Sequence, residues 1–238
     1  MNRQRILLIS AMAVILLFGL GVYLYDRMED ERLGELARQS DSVFNRPHSP
    51  TYGSAQAKVR IVEFFDPACE TCRAFYPLVK DIVDSNPGKV QLVVRYTPFH
   101  AGADTAVKVL EAARLQGLFW PVNRALLNAQ RTWGADHDPR PDLIWSIVDG
   151  TGLNLRKARE DAGSAEVLAN IEQDMADAKI LNVTRTPGFF VNGKPLKDFG
   201  DEQLKALVNR ELKAAYPQLV RWETLTLPTG SREKSMIA

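Results

Sequence analysis

The sequence predicts an α/β domain carried behind a membrane-spanning helix, with elements in the order βαβ, helical block, ββα. Three observations predict it. Residues 6–25 carry no charge; two β-branched and aromatic runs, 58–66 and 89–96, flank a helical pattern; and an Asn192-Gly193 pair joins two short apolar runs ahead of an amphipathic segment. The 238 residues suffice for one large domain or two small ones and a sizeable core. With 45% apolar residues, 25% charged residues and a net charge of +1, the chain lacks the cationic surplus that nucleic-acid binding needs. Its two cysteines cannot make a disulfide framework, so they serve something other than stapling.

Residues 1–5, "MNRQR", precede the charge-free stretch "ILLISAMAVILLFGLGVYLY". As a helix rising about 1.5 Å per residue, it spans roughly the 30 Å of a bilayer's hydrocarbon core. A cleaved signal peptide is the competing reading, but it needs a shorter apolar core and a small-x-small site. The span runs instead into "YDRMEDER", bulky and charged, so residues 6–25 read as an uncleaved anchor. Arg3 and Arg5 precede the span, while Asp26, Glu29, Asp30 and Glu31 offset Arg27 and Arg32 after it. The positive-inside rule leaves the N-terminus cytoplasmic and the rest outside. In a bacterium this is a single pass of the inner membrane with the domain in the periplasm, where disulfides persist.

Residues 26–57 are expected to be a stalk and linker. Positions 26–42 suit a solvated helix, and "NRPHSPTYGS" (45–54) breaks it with two prolines and a glycine. The folded domain is expected over 58–216. "KVRIVEFFD" (58–66) reads as a buried strand, Phe75, Leu78, Val79, Ile82 and Val83 fall at helical spacing, and "KVQLVVRY" (89–96) is a second strand parallel to the first. Residues 101–181 form the helical block. In it Pro121 suits a first helical position, 133–141 is a loop, "DLIWSIVDG" is helical, Ser164 starts a helix and Asn182 stops it. Trp120, Trp133 and Trp145 are assigned to packing. "GFFVNGKPL" (188–196) reads as a hairpin, 201–216 as a closing helix, and 217–238 as an extension ending in a mobile tail.

Both cysteines fall in "EFFDPACETC" (63–72). Two thiols this close either hold a metal or form a disulfide that is made and broken. A zinc site needs two further ligands, and His48, His100 and His137 lack ligand spacing to the pair. Soft thiolates also suit Cu(I), and a Cu(I)-handling module stays as the alternative, although no Met- or His-rich segment accompanies the pair.

CxxC between a strand and its helix, a Thr-Pro more than a hundred residues on, a hairpin and a closing helix together resemble the thioredoxin fold with a helical insertion. More closely, "VEFFDPACETC", the helical block, "TRTPGFFVNG" and the last helix resemble the DsbA-type thiol–disulfide oxidoreductases, including membrane-anchored members, over about residues 48–213. The resemblance implies that Cys69, at a helix N-terminus where unpaired N–H groups and the dipole favour a thiolate, attacks and Cys72 resolves. It implies proton exchange by Glu63, whose alternative is a solvent-facing place on an edge strand, and substrate docking at Arg185, Thr186 and Pro187. The Thr186–Pro187 bond would be cis, with an ordinary trans turn as the alternative. It implies protein thiol or disulfide substrates, a membrane redox partner of DsbB-like or DsbD-like kind, and no cofactor or metal, because the cysteine pair carries the electrons. Glu70 and Thr71 stand where strongly oxidising members have proline and histidine, Arg185 replaces a glycine and Gly188 a larger residue. A carboxylate at Glu70 is expected to oppose the Cys69 thiolate and make the pair less oxidising. The direction of exchange stays open. His100, near the end of the second strand, either edges the site or is incidental.

Overall fold

The computed structural model describes residues 3–39, 41–134 and 139–218. Helix α1 (Arg3–Gln39) runs unbroken from the apolar stretch into the charged one, and α2 (Asp41–Phe44) comes next. Residues Leu7–Glu29, with a mean hydropathy of 2.5, are the one segment among those described that is long and apolar enough to cross a membrane.

A five-stranded sheet organises the domain, in the order β1 (Thr51–Gly53), β3 (Val90–Tyr96), β2 (Val59–Phe65), β4 (Gly188–Val191) and β5 (Lys194–Pro195). Strand β2 (Val59–Phe65) and strand β3 (Val90–Tyr96) pair in parallel from Val59↔Val90 to Phe65↔Tyr96. They are connected through α3 (Glu70–Asp84). Strand β4 (Gly188–Val191) runs antiparallel on the other side of β2 and turns into β5 (Lys194–Pro195). Asn192 and Gly193 take φ of 49° and 79° at that turn, the left-handed pair a two-residue hairpin needs. Helix α10 (Asp201–Ala215) closes the chain against β2, β4 and α3. The order is that of a thioredoxin fold.

The helical block holds α4 (Ala103–Leu115), α5 (Phe119–Asn128), α6 (Gln130–Trp133), a 3₁₀ turn at Pro141–Leu143, α7 (Ile144–Ile147), α8 (Leu155–Ala162) and α9 (Ala165–Ile180). The Ser164 hydroxyl accepts from Val167 N–H at 3.2 Å and caps α9, while Asn182, at φ 54°, lies just past its end. Pro121 falls third in α5 rather than first, and "DLIWSIVDG" forms a 3₁₀ turn and a single helical turn. Trp133 is fully buried and donates to Leu126 O, whereas Trp120 packs edge-on against Tyr52 of β1. Within the expected loop, residues 135–138 with His137 lie outside the described residues, as does most of the 217–238 extension.

Both sheet faces are covered. Val59, Ile61 and Phe65 of β2 join α3 and the helical block, and Val62 and Phe64 join Val43, Phe44, Ala178, Leu181 and Phe190 on the opposite face. The fold corrects the linker expectation for the end of 26–57. β1 (Thr51–Gly53) pairs antiparallel with β3, and Val94 N–H donates to Pro50 O at 2.9 Å. Two side chains hold the arm before it. Arg46 reaches Asp177 at 2.7 Å and His48 Nε2 lies 2.7 Å from Asp174. Arg95, fully buried on β3, bonds Asp174, Asp177 and Val43 O. Of the two prolines read as breakers, Pro50 sits just before the edge strand, where no N–H is needed, and Pro47 lies in the turn closed by Ser49 N–H and Arg46 O. A Cβ at Gly53, whose φ is 97°, would lie 2.7 Å from Val90 O, so glycine suits the strand's end.

Candidate active site: a thiol pair at the head of a helix

Strand β2 ends at Phe65, and "DPA" turns the chain so that Cys69 stands as the N-cap of α3 in an extended conformation (φ −71°, ψ 120°). Cys72 lies within the first turn. Both are free thiols, with Cys69 4% and Cys72 0% exposed. Cys69 Sγ donates to the carbonyl oxygen of Thr186 at 3.2 Å, and the Thr186–Pro187 peptide is cis. The chain thus brings residues 69 and 186 together from opposite ends of the domain.

The two sulfurs are in unlike states. The Cys72 thiol and the backbone N–H groups of Cys72 and Thr71 stabilise a Cys69 thiolate, and they outweigh burial to hold its pKa at about 5. Cys72 is driven well above its ordinary value, by burial first, then by the hydrogen bond to Cys69 and the charge of Glu63. Its Sγ lies 3.5 Å from the Asp66 backbone N–H. One sulfur ionises below neutrality while its neighbour keeps its proton.

Glu63 is 3% exposed on β2, in register with Val94 of β3 and Phe189 of β4. That is a central strand, so the solvent-facing edge alternative is set aside. Its alternation with Ile61 and Phe65 puts it on the sheet face that α3 covers. Burial, with the nearby Cys69 charge, pushes its pKa up to about 8, and its Oε1 has no hydrogen-bond partner among the described residues.

The expected effect of Glu70 is corrected. Its side chain is 69% exposed and 3.9 Å from Arg73, and the donors around Cys69 decide the thiolate instead. Arg185 is exposed, one residue ahead of the cis bond. Gly188 has a local reason: a Cβ there would come within 2.9 Å of Val183 Cγ1 and 3.5 Å of Phe64 Cβ.

Three residues at the site escaped the sequence reading in whole or in part. Asp66, fully buried, accepts from the N–H groups of Ala68 (2.8 Å), Phe99 (2.7 Å) and His100 (2.9 Å). It also pairs with His100 Nδ1 at 2.7 Å, so His100 edges the site by bracing the loop after β3 against the cysteine loop. An acid at the end of a buried strand, just before CxxC, was the available signal. Gln130, buried in α6 and bonded to the cysteine loop, carried no local signal. Among the described residues, no cluster of three or more His, Cys, Asp or Glu stands together as a metal site.

A thioredoxin fold with a free thiol pair at a helix head defines a redox class of site. A family model described as thioredoxin matches residues 45–210. A thioredoxin-like oxidoreductase from Silicibacter pomeroyi is 34% identical with a TM-score of 0.64, over 74% of this chain and 99% of that one. Disulfide bond formation protein D of Bacillus subtilis is 26% identical over 73% of this chain and 83% of its own. The Na(+)/H(+) antiporter NhaA of Herminiimonas arsenicoxydans is 27% identical over 74% of this chain, which spans 28% of that protein. The chain belongs to the thioredoxin family.

Proposed function

We propose that the chain is a membrane-tethered thiol–disulfide oxidoreductase that oxidises the thiols of protein clients outside the cytoplasm. The observation that carries the direction is the Cys69 thiol, held at about 5 at the head of α3 beside a protonated Cys72. A stabilised thiolate favours the reduced form of the pair, which makes its disulfide the more oxidising.

In the oxidised pair a client thiolate attacks Cys69 Sγ and the Cys69–Cys72 bond breaks. The electron pair leaves with Cys72, which takes up a proton. Glu63, protonated near neutrality, is the donor assigned to that sulfur. A second client thiolate then attacks the client sulfur of the mixed disulfide, releasing Cys69 as a stable thiolate. The client loses two electrons and the pair gains them. Run backwards, Cys69 attacks a disulfide, Cys72 resolves the mixed intermediate, and Glu63 accepts the proton. Thr186 and Pro187 are assigned to docking an extended client segment against the Thr186 backbone, with Arg185 at its edge.

An oxidant must be recharged, so a DsbB-like, quinone-linked membrane protein is the partner proposed. The anchor is assigned to one pass of a bacterial inner membrane, N-terminus cytoplasmic, domain in the periplasm.

The test is to trap the redox state of Cys69 and Cys72 in living cells by acid quench and alkylation. A mostly oxidised pair is expected. A mostly reduced pair would overturn the direction and point to a reductase or isomerase fed by a DsbD-like donor. Stoichiometric copper in reduced protein would instead support the Cu(I) alternative.

A further inference from the structure

Gln130 belongs to the helical block, far in sequence from the cysteines, yet its side chain is 1% exposed and wholly engaged with their loop. Nε2 donates to Pro67 O at 2.7 Å and to Cys69 O at 2.9 Å. Oε1 accepts from Arg73 Nε at 2.8 Å. The amide orientation is fixed by chemistry: two carbonyl oxygens can only accept and a guanidinium can only donate, so a flipped amide would lose every one of these bonds.

The contacts pin the first turn of α3 at both ends. Cys69 O also takes the first helical bond, from Arg73 N–H at 3.1 Å, so one glutamine holds the carbonyl and the side chain that this bond connects. Behind it the scaffold is stiff. Trp133 Nε1 donates to Leu126 O at 2.8 Å, tying α6 to α5. A Cβ on Gly134 would lie 3.5 Å from Ala68, so the end of this segment packs directly on the cysteine loop. The N–H groups of Thr71 and Cys72 aimed at the Cys69 sulfur keep that aim only while the Cys69 peptide keeps its orientation.

We infer that Gln130 is the positioning residue for Cys69, through which the helical insertion sets the redox poise of the thiol pair. Removing the amide leaves two buried carbonyls short of a donor and frees the peptide to turn. The inference rests on Cys69 being the exchanging thiol.

Gln130→Met is the test, because methionine keeps the volume and drops the donors and acceptor. Gln130→Glu, which keeps an oxygen for Arg73 but loses the amide donors, serves if the first fails to fold. Leu153→Ala, a packing loss elsewhere in the same block, is the control. Thiolate absorbance against pH and equilibration with glutathione are read on the full chain. Expected for the Gln130 variants is a Cys69 pKa higher by at least one unit, with a roughly tenfold drop in the equilibrium constant for oxidising glutathione, about 30 mV. Leu153→Ala should lower stability and move neither reading. Unchanged readings in the Gln130 variants would overturn the inference, and so would equal shifts in Leu153→Ala, which would mean general loosening. A wild type without a thiolate titrating near 5 would instead sink the Cys69 reading itself.

Discussion

At the scale of single residues, the site works by placing three ionisable groups in unlike environments. Cys69 sits among donors, Cys72 is sealed beneath it, and Glu63 lies in apolar surroundings with no partner for Oε1 among the described residues. If Cys69 attacks and Cys72 resolves, Cys72→Ser should accumulate mixed disulfides with clients on diagonal non-reducing gels. Cys69→Ser should trap few or none, and equal trapping by both contradicts the division of labour. Glu63 makes a pH prediction. Its folded pKa of about 8 lies above the 4.5 of an ordinary glutamate, so its contribution to stability is complete below about 4.5 and is lost as pH rises through 8. Glu63→Gln removes that titration. On the disulfide form, where the cysteines do not titrate and burial alone raises Glu63, denaturant melts should show the variant gaining on wild type as pH rises from 5 to 8. A pH-independent difference would place the carboxylate in water. The CxxC pair and Glu63 were legible because local chain order fixes them: strand, turn, helix head. The electrostatic reading of Glu70 failed for a reason equally local, since a residue one position along a helix points about 100° away from its neighbour and here reaches solvent.

At the scale of elements, β2, α3, β3, the hairpin and α10 were all readable from periodicity and turn chemistry, with boundaries within a few residues. What the sequence hid was β1 and the arm before it. Their attachment is non-local: a three-residue edge strand against β3, and the Arg46 and His48 side chains, which meet partners some 130 positions away on α9. No window of sequence carries such a signal. The arm should therefore contribute to stability. Asp177→Ala, which strips a partner from the fully buried Arg95, should cost about 3–5 kcal/mol in denaturant unfolding. A chain beginning at residue 58 should be far less stable than one beginning at residue 43. Equal stability of the two would return the arm to the status of a linker.

At the scale of the whole molecule, a continuous α1 of 37 residues, about 55 Å long, carries the apolar segment straight into the charged one. Because bulky and charged residues, "YDRMEDER", directly follow the span, protein extracted from membranes should have an intact mass that includes residue 1 or 2. A mature N-terminus at 26–40 in a soluble fraction contradicts the anchor. As the proposed anchor, this helix would hold the thiol pair near the membrane surface, where the proposed quinone-linked partner would meet it. The central claim is that this pair is an oxidant, and its reduction potential tests that most directly. A full-length chain in detergent, equilibrated with graded glutathione buffers at pH 7, would give it. A Cys69 thiol held at about 5, below thioredoxin's value near 7, predicts a potential above thioredoxin's roughly −270 mV. A value at or below about −270 mV would contradict it.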